Sequence, residues 1–368
     1  MNNETILNTL CKGCSACAII CPHNAITMKY DDIGGYSKSI NHEKCVNCRQ
    51  CESVCPDIYD YSTELSKDFI YSAVCKDKEV LKNSSSGGVA YVMAKEAIEN
   101  GWSVCGVTYN SQKECAEHIV VENIENLKRI QGSKYLQSAC EPAFREIIAK
   151  DSAIIFGTPC QISGIDAVLK KKKVRDRFIL VDIFCHGVPS QLLWKQHLKY
   201  LRDSHKIDDN PEVRFREGKE FIITIGKYKA WYNEDAFYTY FLRGWLNNES
   251  CYHCNYRRSS VADIRLGDCL LDKYHTLSYS PSCIIANTER GVGFLNKVGG
   301  KLELNKEEFG AIDTIQQKEN VQKPAECKEW INKLIDGKYP EELIKWILFK
   351  GRVKSFIKHR LLKDFKSY

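Results

Sequence analysis

The stretch from Cys11 to Pro22 reads CKGCSACAIICP, and the stretch from Cys45 to Pro56 reads CVNCRQCESVCP. Both follow the spacing C-x2-C-x2-C-x3-C-P, which is the cysteine pattern of a bacterial-type ferredoxin with two [4Fe-4S] clusters. Three thiolates at this spacing can reach one cubane from a single tight loop, and the proline that follows fixes φ where the loop ends. The repeat therefore predicts two iron–sulfur clusters near the amino terminus.

The fourth cysteine of each run in such domains ligates the cluster of the other run. One cluster is expected to take Cys11, Cys14, Cys17 and Cys55. The other is expected to take Cys45, Cys48, Cys51 and Cys21. A pair of zinc sites is the alternative, but zinc sites usually use CxxC pairs separated by a longer gap, without the closely spaced third cysteine.

The composition of the chain favours a redox protein over a disulfide-stabilised one. Its 368 residues suffice for two or three domains, with 43% hydrophobic and 27% charged residues. No signal peptide and no apolar run of transmembrane length are recognisable, so the chain is expected to be cytoplasmic. In that compartment, 19 cysteines indicate metal or redox chemistry.

Charge is concentrated at the carboxyl end of the sequence. Residues 345–368 contain eight Lys or Arg and one acid, so this stretch accounts for the net charge of +6 and the rest is close to neutral. The neutral body gives no case for nucleic-acid binding. The basic, amphipathic tail suits an anionic surface at the inner membrane face or an acidic partner, and a solvated helix packed on the body is the alternative.

Beyond residue 69, strand-like and helix-like runs alternate, which predicts an α/β or α+β body with some parallel strand pairing. Strands are expected near Ile70 and Val104 and at AIIFG (Ala153–Gly157) and FILVDIF (Phe178–Phe184). Helices are expected at 88–100, 143–150 and 162–172 and after Pro189. The predicted domains are a ferredoxin domain (1–65), the α/β body (69–335) and the basic tail (336–368).

Several short motifs of the body could bind phosphate or metal. SSSGG (Ser84–Gly88) opens a helix, and GSKY (Gly132–Tyr135) with LQS to Ser138 forms a polar loop. Both suit a phosphate, but taken alone an ordinary cap and a solvated turn explain them better. GTPCQ (157–161) and CHGVPS (185–190) each follow an apolar strand, where ligands of α/β sheets bind. CYHC (251–254) and ADIRLGD (262–268) follow later.

The ordered set of these motifs, with IIANTERG at 284–291, resembles the family of coenzyme F420 hydrogenase/dehydrogenase β subunits and its ferredoxin-fused members over nearly the whole chain. Family members usually have aromatic residues and a glycine after the GD of ADIxxGD. Here Cys269, Leu270 and Leu271 follow instead. This departure weakens any transfer of substrate contacts to that region and leaves the cofactor assignments unchanged.

The resemblance implies a flavoprotein with FAD and a third [4Fe-4S] cluster in the body. The FAD contacts that it implies are Ser85, Ser86, Gly87, Gly88, Ser133, Lys134, Gln137, Ser138 and Thr158. The ligands that it implies for the third cluster are Cys160, Cys185, Cys251 and Cys254. A buried structural thiol is the alternative for Cys160 or Cys185. The seven other cysteines have no partners at metal spacing and are interpreted as small buried side chains.

The implied function is that of an iron–sulfur flavoprotein oxidoreductase. Electrons would pass between the ferredoxin clusters and FAD, which would exchange a hydride with a small molecule or with the deazaflavin coenzyme F420, and a ferredoxin or another oxidoreductase would be the protein partner. A non-catalytic relay component of a larger redox complex is the alternative, and a nucleotide sugar or other phosphate ligand is a weaker one. No catalytic residue is assigned: His186 is interpreted as a hydrogen-bond donor beside a cluster ligand, and Lys134 as a phosphate partner.

Overall fold

The structure, a computed structural model, describes residue 6 and residues 9–339. Of the predicted basic tail (336–368), the structure describes residues 336–339 only, so the basic run from residue 345 onward lies outside the described residues. Helices alternate with strands through the body. The α-helices are α1 (Ala16–Ile20), α2 (Lys78–Lys82), α3 (Val89–Glu99), α4 (Glu141–Ile147), α5 (Pro159–Lys171), α6 (Gln191–Asp203), α7 (Ala236–Leu242), α8 (Glu249–Tyr252), α9 (Glu289–Val298), α10 (Phe309–Ile315) and α11 (Cys327–Ile335). Short 3-10 helices span Glu52–Val54, Ile124–Arg129, Arg175–Arg177, Asp272–Tyr274 and Gly299–Lys301.

The strands form one large sheet and three small ones. The strands are β1 (Ile26–Tyr30), β2 (Tyr36–Ile40), β3 (Thr63–Glu64), β4 (Ile70–Cys75), β5 (Ser103–Asn110), β6 (Cys115–Val121), β7 (Ser138–Ala139), β8 (Ala153–Phe156), β9 (Phe178–Ile183), β10 (Val213–Arg214), β11 (Ile222–Ile225), β12 (Tyr228–Trp231), β13 (Ser259–Ser260), β14 (Ile264–Asp268), β15 (Ser282–Ala286) and β16 (Leu302–Lys306). The large sheet has nine strands in the order β16-β4-β15-β14-β9-β8-β5-β6-β7.

The centre of the large sheet is parallel, and its flanks are mixed. Strands β14, β9, β8 and β5 run parallel, with Ile154 opposite Ile179 and Ile264 opposite Val181. Strands β16, β4, β15 and β14 pair antiparallel, as do β5 and β6. The central strands are apolar on both faces because helices cover both sides of the sheet. The predicted mixed α/β fold class is confirmed.

Two cores lie on opposite faces of this sheet. One contains α3 and α9, with Met93 and Phe294 among its buried side chains. The other contains α4 and α5, with Phe144 and Ile165 fully buried. The carboxyl ends of the parallel strands β8 and β9 lead into the GTPCQ and CHGVPS loops, which therefore lie side by side at one edge of the sheet.

The ferredoxin segment packs against the second of these cores. Cys14, Ala16 and Ile19 are buried together with side chains of α4 and α5. Helix α1 crosses α5 at Gly164, where a Cβ atom would lie 2.6 Å from Sγ of Cys14. The absence of a side chain at Gly164 lets the loop of the first cysteine run lie directly on the helix that carries Cys160.

A separate group of aromatic side chains, the aromatic lobe, packs beside the large sheet. Helices α6, α7 and α11 pack with the small sheet β10-β11-β12 around Trp194, Phe215, Phe237 and Tyr238. Because aromatic side chains bury large areas, this lobe has a substantial core of its own. Among the described helices, none is both long enough and apolar enough to cross a membrane.

Candidate redox site

The two cysteine runs share left-handed backbone on both sides of their second cysteine. Gly13 and Ser15, which flank the second cysteine of the first run, have φ of 68° and 67°. Asn47 and Arg49, at the same places in the second run, have φ of 56° and 57°. Left-handed residues are uncommon outside glycine and cluster where a binding loop requires them. The repeat in sequence is therefore also a repeat in loop geometry around each second cysteine.

The first cysteine set lines one cavity, the first cluster cavity. The residues that surround it include all four cysteines predicted for the first cluster, Cys11, Cys14, Cys17 and Cys55. Burial, and then the neighbouring Cys17, raise the pKa of Cys14 well above its usual value. Four neighbouring thiols ionise together only beside a strong positive charge, and a metal group supplies it. The donor set therefore fits a cluster.

The second cysteine set lies nearer the surface. Cys51 and Cys21 pack with Cys17 and Ile26 in a small core, whereas Cys48 is exposed to solvent. Burial also raises the pKa of Cys51, to about 11. Of the two predicted cluster sites, the second is thus the one that faces solvent.

The four cysteines predicted for the third cluster surround a single cavity, the body cluster cavity, although they are far apart in sequence. Cys160 is on the first turn of α5, Cys185 follows β9, and Cys251 and Cys254 come from α8 and its end. The pKa of Cys160 is raised to about 12, mainly by burial and also by Cys185 and Cys254, whereas the Thr158 hydroxyl 3.3 Å from Sγ opposes the rise. This donor set also fits a cluster.

In the described part of the chain, no three His, Cys, Asp or Glu side chains converge tightly enough to ligate one metal ion. The cysteines of the first and third sets instead surround a space. The seven cysteines without metal spacing are all buried, as interpreted from the sequence: they are Cys75, Cys105, Cys115, Cys140, Cys269, Cys283 and Cys327.

A third cavity, the large cavity, has a volume of about 450 Å³, within the range of small-molecule sites. The predicted flavin contacts in its wall are Ser85, Ser86, Gly88, Ser133, Lys134, Ser138 and Thr158. The SSSGG and GSKY loops meet here because the Ser133 N–H donates to Oγ of Ser85 at 3.0 Å. Aromatic side chains, among them Phe156, Phe221 and Phe241, form much of the remaining wall.

Two predicted flavin contacts do not line the large cavity. Gly87 lies against the backbone of β4 and β15, where any Cβ would overlap the Ala73 carbonyl. Gln137 faces the body cluster cavity instead. Its Oε1 accepts from the Tyr36 N–H (2.7 Å) and from Asn248 (2.6 Å), so it connects the ferredoxin segment to the body. The side chains flanking it, Leu136 and Ser138, do reach the large cavity.

Lys134 lies in the large cavity without an anionic partner among the described residues. Its Nζ donates to the carbonyls of Gln131 (2.8 Å) and Gly132 (3.1 Å), and burial lowers its pKa to about 7. A diphosphate would provide the negative charge that favours the protonated amine. The chemistry of this end of the cavity therefore fits a phosphate-bearing cofactor.

The three cavities lie in series and share walls. Ser138, Thr158 and Gln161 line both the large cavity and the body cluster cavity. They are joined because Gln161 accepts from the Thr158 N–H (3.1 Å) and donates to the Ser138 carbonyl (3.0 Å). Lys12 lines both the body cluster cavity and the first cluster cavity. One side chain or one turn of backbone thus separates each site from the next.

Sequence reasoning missed Arg216, which holds three walls of the large cavity together. Its buried guanidinium donates to Asp268 (2.9 Å), to the Tyr135 hydroxyl (3.1 Å) and to the Ser85 carbonyl (3.1 Å). It also lies 4.0 Å from the centre of the Phe221 ring. A single arginine in a polar hairpin carries no motif, so only the contacts reveal its position.

His186 lines the large cavity, and its Nδ1 lies 3.0 Å from Oε1 of Gln317. Burial, and then the charge of Arg257, lower the pKa of His186. Because the Gln317 oxygen can only accept, Nδ1 of the neutral ring is the donor in this contact, and Nε2 is then an acceptor. The guanidinium of Arg257 donates to the carbonyl of the adjacent Cys185.

Three family models match parts of this chain. Residues 70–144 match the N-term, and residues 150–309 the C terminus, of the family described as coenzyme F420 hydrogenase/dehydrogenase, beta subunit. Residues 10–57 match a 4Fe-4S dicluster domain.

Among similar proteins, one of the subunits of the F(420)H(2) dehydrogenase of Methanosarcina mazei is 26% identical, over 72% of this chain and 77% of its own length. The coenzyme F420-dependent sulfite reductase of Methanocaldococcus jannaschii is 23% identical over 90% of this chain, which spans only 53% of that enzyme. A chain of the F420-reducing [NiFe] hydrogenase complex from Methanosarcina barkeri shares the fold, with a TM-score of 0.51 and 19% identity over 76% of this chain and 92% of that one.

Proposed function

Because this chain belongs to the family of coenzyme F420 hydrogenase/dehydrogenase beta subunits, with a 4Fe-4S dicluster domain at its amino terminus, we propose that it is a flavin-dependent oxidoreductase. Electrons would pass between the ferredoxin clusters and an FAD in the large cavity, by way of a third cluster held by Cys160, Cys185, Cys251 and Cys254. The observation that carries the proposal is the serial arrangement of three cavities with shared walls.

Bound FAD would supply the chemistry that joins two-electron exchange with a small molecule to one-electron exchange with clusters. The hydroxyls of Ser85 and Ser86 and the ammonium of Lys134 would bind its diphosphate. Arg216 would keep the SSSGG loop against Asp268 and the aromatic lobe, and so fix the width of the cavity. The Thr158–Gln161 turn would keep water out of the wall between flavin and cluster.

The proposed substrate is a reduced or oxidised deazaflavin of the F420 type, since the similar dehydrogenase and sulfite reductase are named for this coenzyme. A relay component without a substrate of its own is the second candidate, because the similar dehydrogenase protein is named as one subunit. Reduced F420 should bleach the flavin of the isolated holoprotein anaerobically if the chain is itself the enzyme. Bleaching that requires a partner protein would favour the relay.

Anaerobic reconstitution with iron, sulfide and FAD tests the cofactor content directly. We expect about twelve iron atoms, four for each of three cubanes, and one FAD per chain. About eight iron atoms would remove the body cluster from the proposal. Full iron content without retained flavin would remove the flavin mechanism.

Replacing Lys134 with glutamine should weaken FAD binding by about tenfold to a hundredfold, because hydrogen bonds to charged groups contribute ~1.5–3 kcal/mol. Lys128→Gln is the matched control, since it removes the same charge from an exposed side chain in the same part of the chain. Fluorescence titration of the apoprotein with FAD measures both. Equal affinities for the two variants would contradict a phosphate role for Lys134.

The pH dependence of FAD binding should report on the same amine. The pKa of Lys134 is about 7 without an anion and rises when a diphosphate binds, so binding takes up a proton above pH 7. Affinity should therefore be level below about pH 7 and fall as the pH rises above that value. Lys134→Gln should lose this slope. A slope that persists in the variant would assign it to another group.

A further inference from the structure

Lys12 is the residue that the first cluster cavity and the body cluster cavity have in common. It follows Cys11 in the first cysteine run, and its side chain is only 5% exposed. Its carbonyl oxygen lies 3.9 Å from Sγ of Cys160 and accepts a hydrogen bond from Gln137 at 3.4 Å. A residue of the ferredoxin loop thus forms part of the wall of the body site.

The ammonium of Lys12 forms an ion pair with Asp57, which follows the Cys55-Pro56 pair. The Asp57 side chain is 24% exposed, so water screens its charge more than that of the buried ammonium. The charge of Lys12 also acts on Cys160, where it opposes the rise in pKa that burial causes. The buried end of the pair is therefore a positive charge close to both sets of cysteines.

We propose that Lys12 is a positioning residue for electron transfer, which sets the reduction potentials of the first ferredoxin cluster and the body cluster together. Each one-electron reduction adds one negative charge to a cluster, and a buried cation stabilises the reduced form. Because Lys12 lines both cavities, its charge raises both potentials in the same direction. Removing this charge should therefore change the difference between the two potentials less than removing a cation that lies beside one cluster alone. This inference rests on the proposed function, since it requires the body cluster.

Lys38 is a suitable control because it lies beside one of the two cluster cavities and not the other. It lines the first cluster cavity only, its Nζ donates to Oγ1 of Thr9 at 2.8 Å, and its charge acts on Cys17 and Cys55. Removing the charge of Lys38 should therefore shift the first cluster alone. Removing the charge of Lys12 should shift the body cluster as well.

The test is a redox titration of the reconstituted full chain, followed by electron paramagnetic resonance, for the wild type and the variants Lys12→Gln, Lys12→Arg, Lys38→Gln and Asp57→Asn. We expect a lower body-cluster potential in Lys12→Gln, restoration in Lys12→Arg, and a higher body-cluster potential in Asp57→Asn, where the countercharge is gone. Lys38→Gln should leave the body cluster at its wild-type potential.

The two levels of the proposal fail in different ways. A wild type with about eight iron atoms would remove the body cluster from the proposed function, and with it the premise of this inference, before any variant is compared. A wild type with about twelve, and a body-cluster potential that is the same in Lys12→Gln, would overturn the role of Lys12 alone. If Lys12→Gln loses iron, Asp57→Asn decides, and a body-cluster potential that does not rise in that variant overturns the inference.

Discussion

Replacing Cys251 with alanine should lower the iron content from about twelve to about eight atoms per chain while the FAD stays bound. Cys251 lines the body cluster cavity and takes no part in the wall of the large cavity, so the two effects separate. Electron transfer from the ferredoxin clusters to the flavin should slow by at least about a hundredfold, since loss of groups that merely support metal ligands already costs ~10–100-fold.

Cys283→Ala is the matched control for this variant. Cys283 is as fully buried a thiol as the chain offers, but it lies in β15 and lines none of the three cavities. Its replacement should leave both the iron content and the rate of electron transfer to the flavin unchanged. Iron analysis and stopped-flow absorbance of the flavin after mixing with a reduced ferredoxin measure both effects. A Cys251→Ala protein that keeps its iron would show that this cysteine is not a ligand.

Replacing Gly164 with alanine should displace the first cysteine loop and lower the thermal midpoint of the holoprotein. The added Cβ would lie 2.6 Å from Sγ and 2.8 Å from Cβ of Cys14, and overpacking of this kind typically costs ~1–3 kcal/mol. The gain of about 1 kcal/mol that alanine brings to a helix interior does not offset such a clash. The spectrum of the first cluster should change because Cys14 is one of its proposed ligands.

Gly293→Ala is the control for Gly164→Ala, and we expect it to have the opposite effect on stability. Gly293 lies inside α9, and a Cβ there would meet no atom within 4 Å. The variant should therefore gain up to about 1 kcal/mol and leave the cluster spectra unchanged. Anaerobic thermal unfolding and electron paramagnetic resonance compare the two variants. A higher thermal midpoint in both variants would show that the first cysteine loop can move away from α5 at no cost.

The cysteine spacing was enough to predict the 4Fe-4S dicluster domain, and the alternating strand-like and helix-like runs were enough to predict the mixed α/β body. The resemblance also implied four body cysteines that turn out to surround one cavity, because strand ends and a CxxC turn converge at one edge of the sheet. Gln137 and Gly87, which the resemblance implied as FAD contacts, do not line the large cavity. The motif alone does not determine which way the side chain of a loop residue points. Lys12 and Arg216 could not be recognised, because their roles depend on contacts with residues far away in the chain.

The burial of Cys14, Ala16 and Ile19 among side chains of α4 and α5 has a consequence for how the ferredoxin clusters would exchange electrons with a partner. Many electron carriers swing or diffuse between donor and acceptor, but a segment whose apolar residues complete the body's own core cannot swing without exposing that core to water. The ferredoxin segment is therefore fixed to the body, so a partner that exchanges electrons with it would have to diffuse to it. That partner would have to approach the face where Cys48 is exposed, so docking rather than domain motion would govern the rate of turnover.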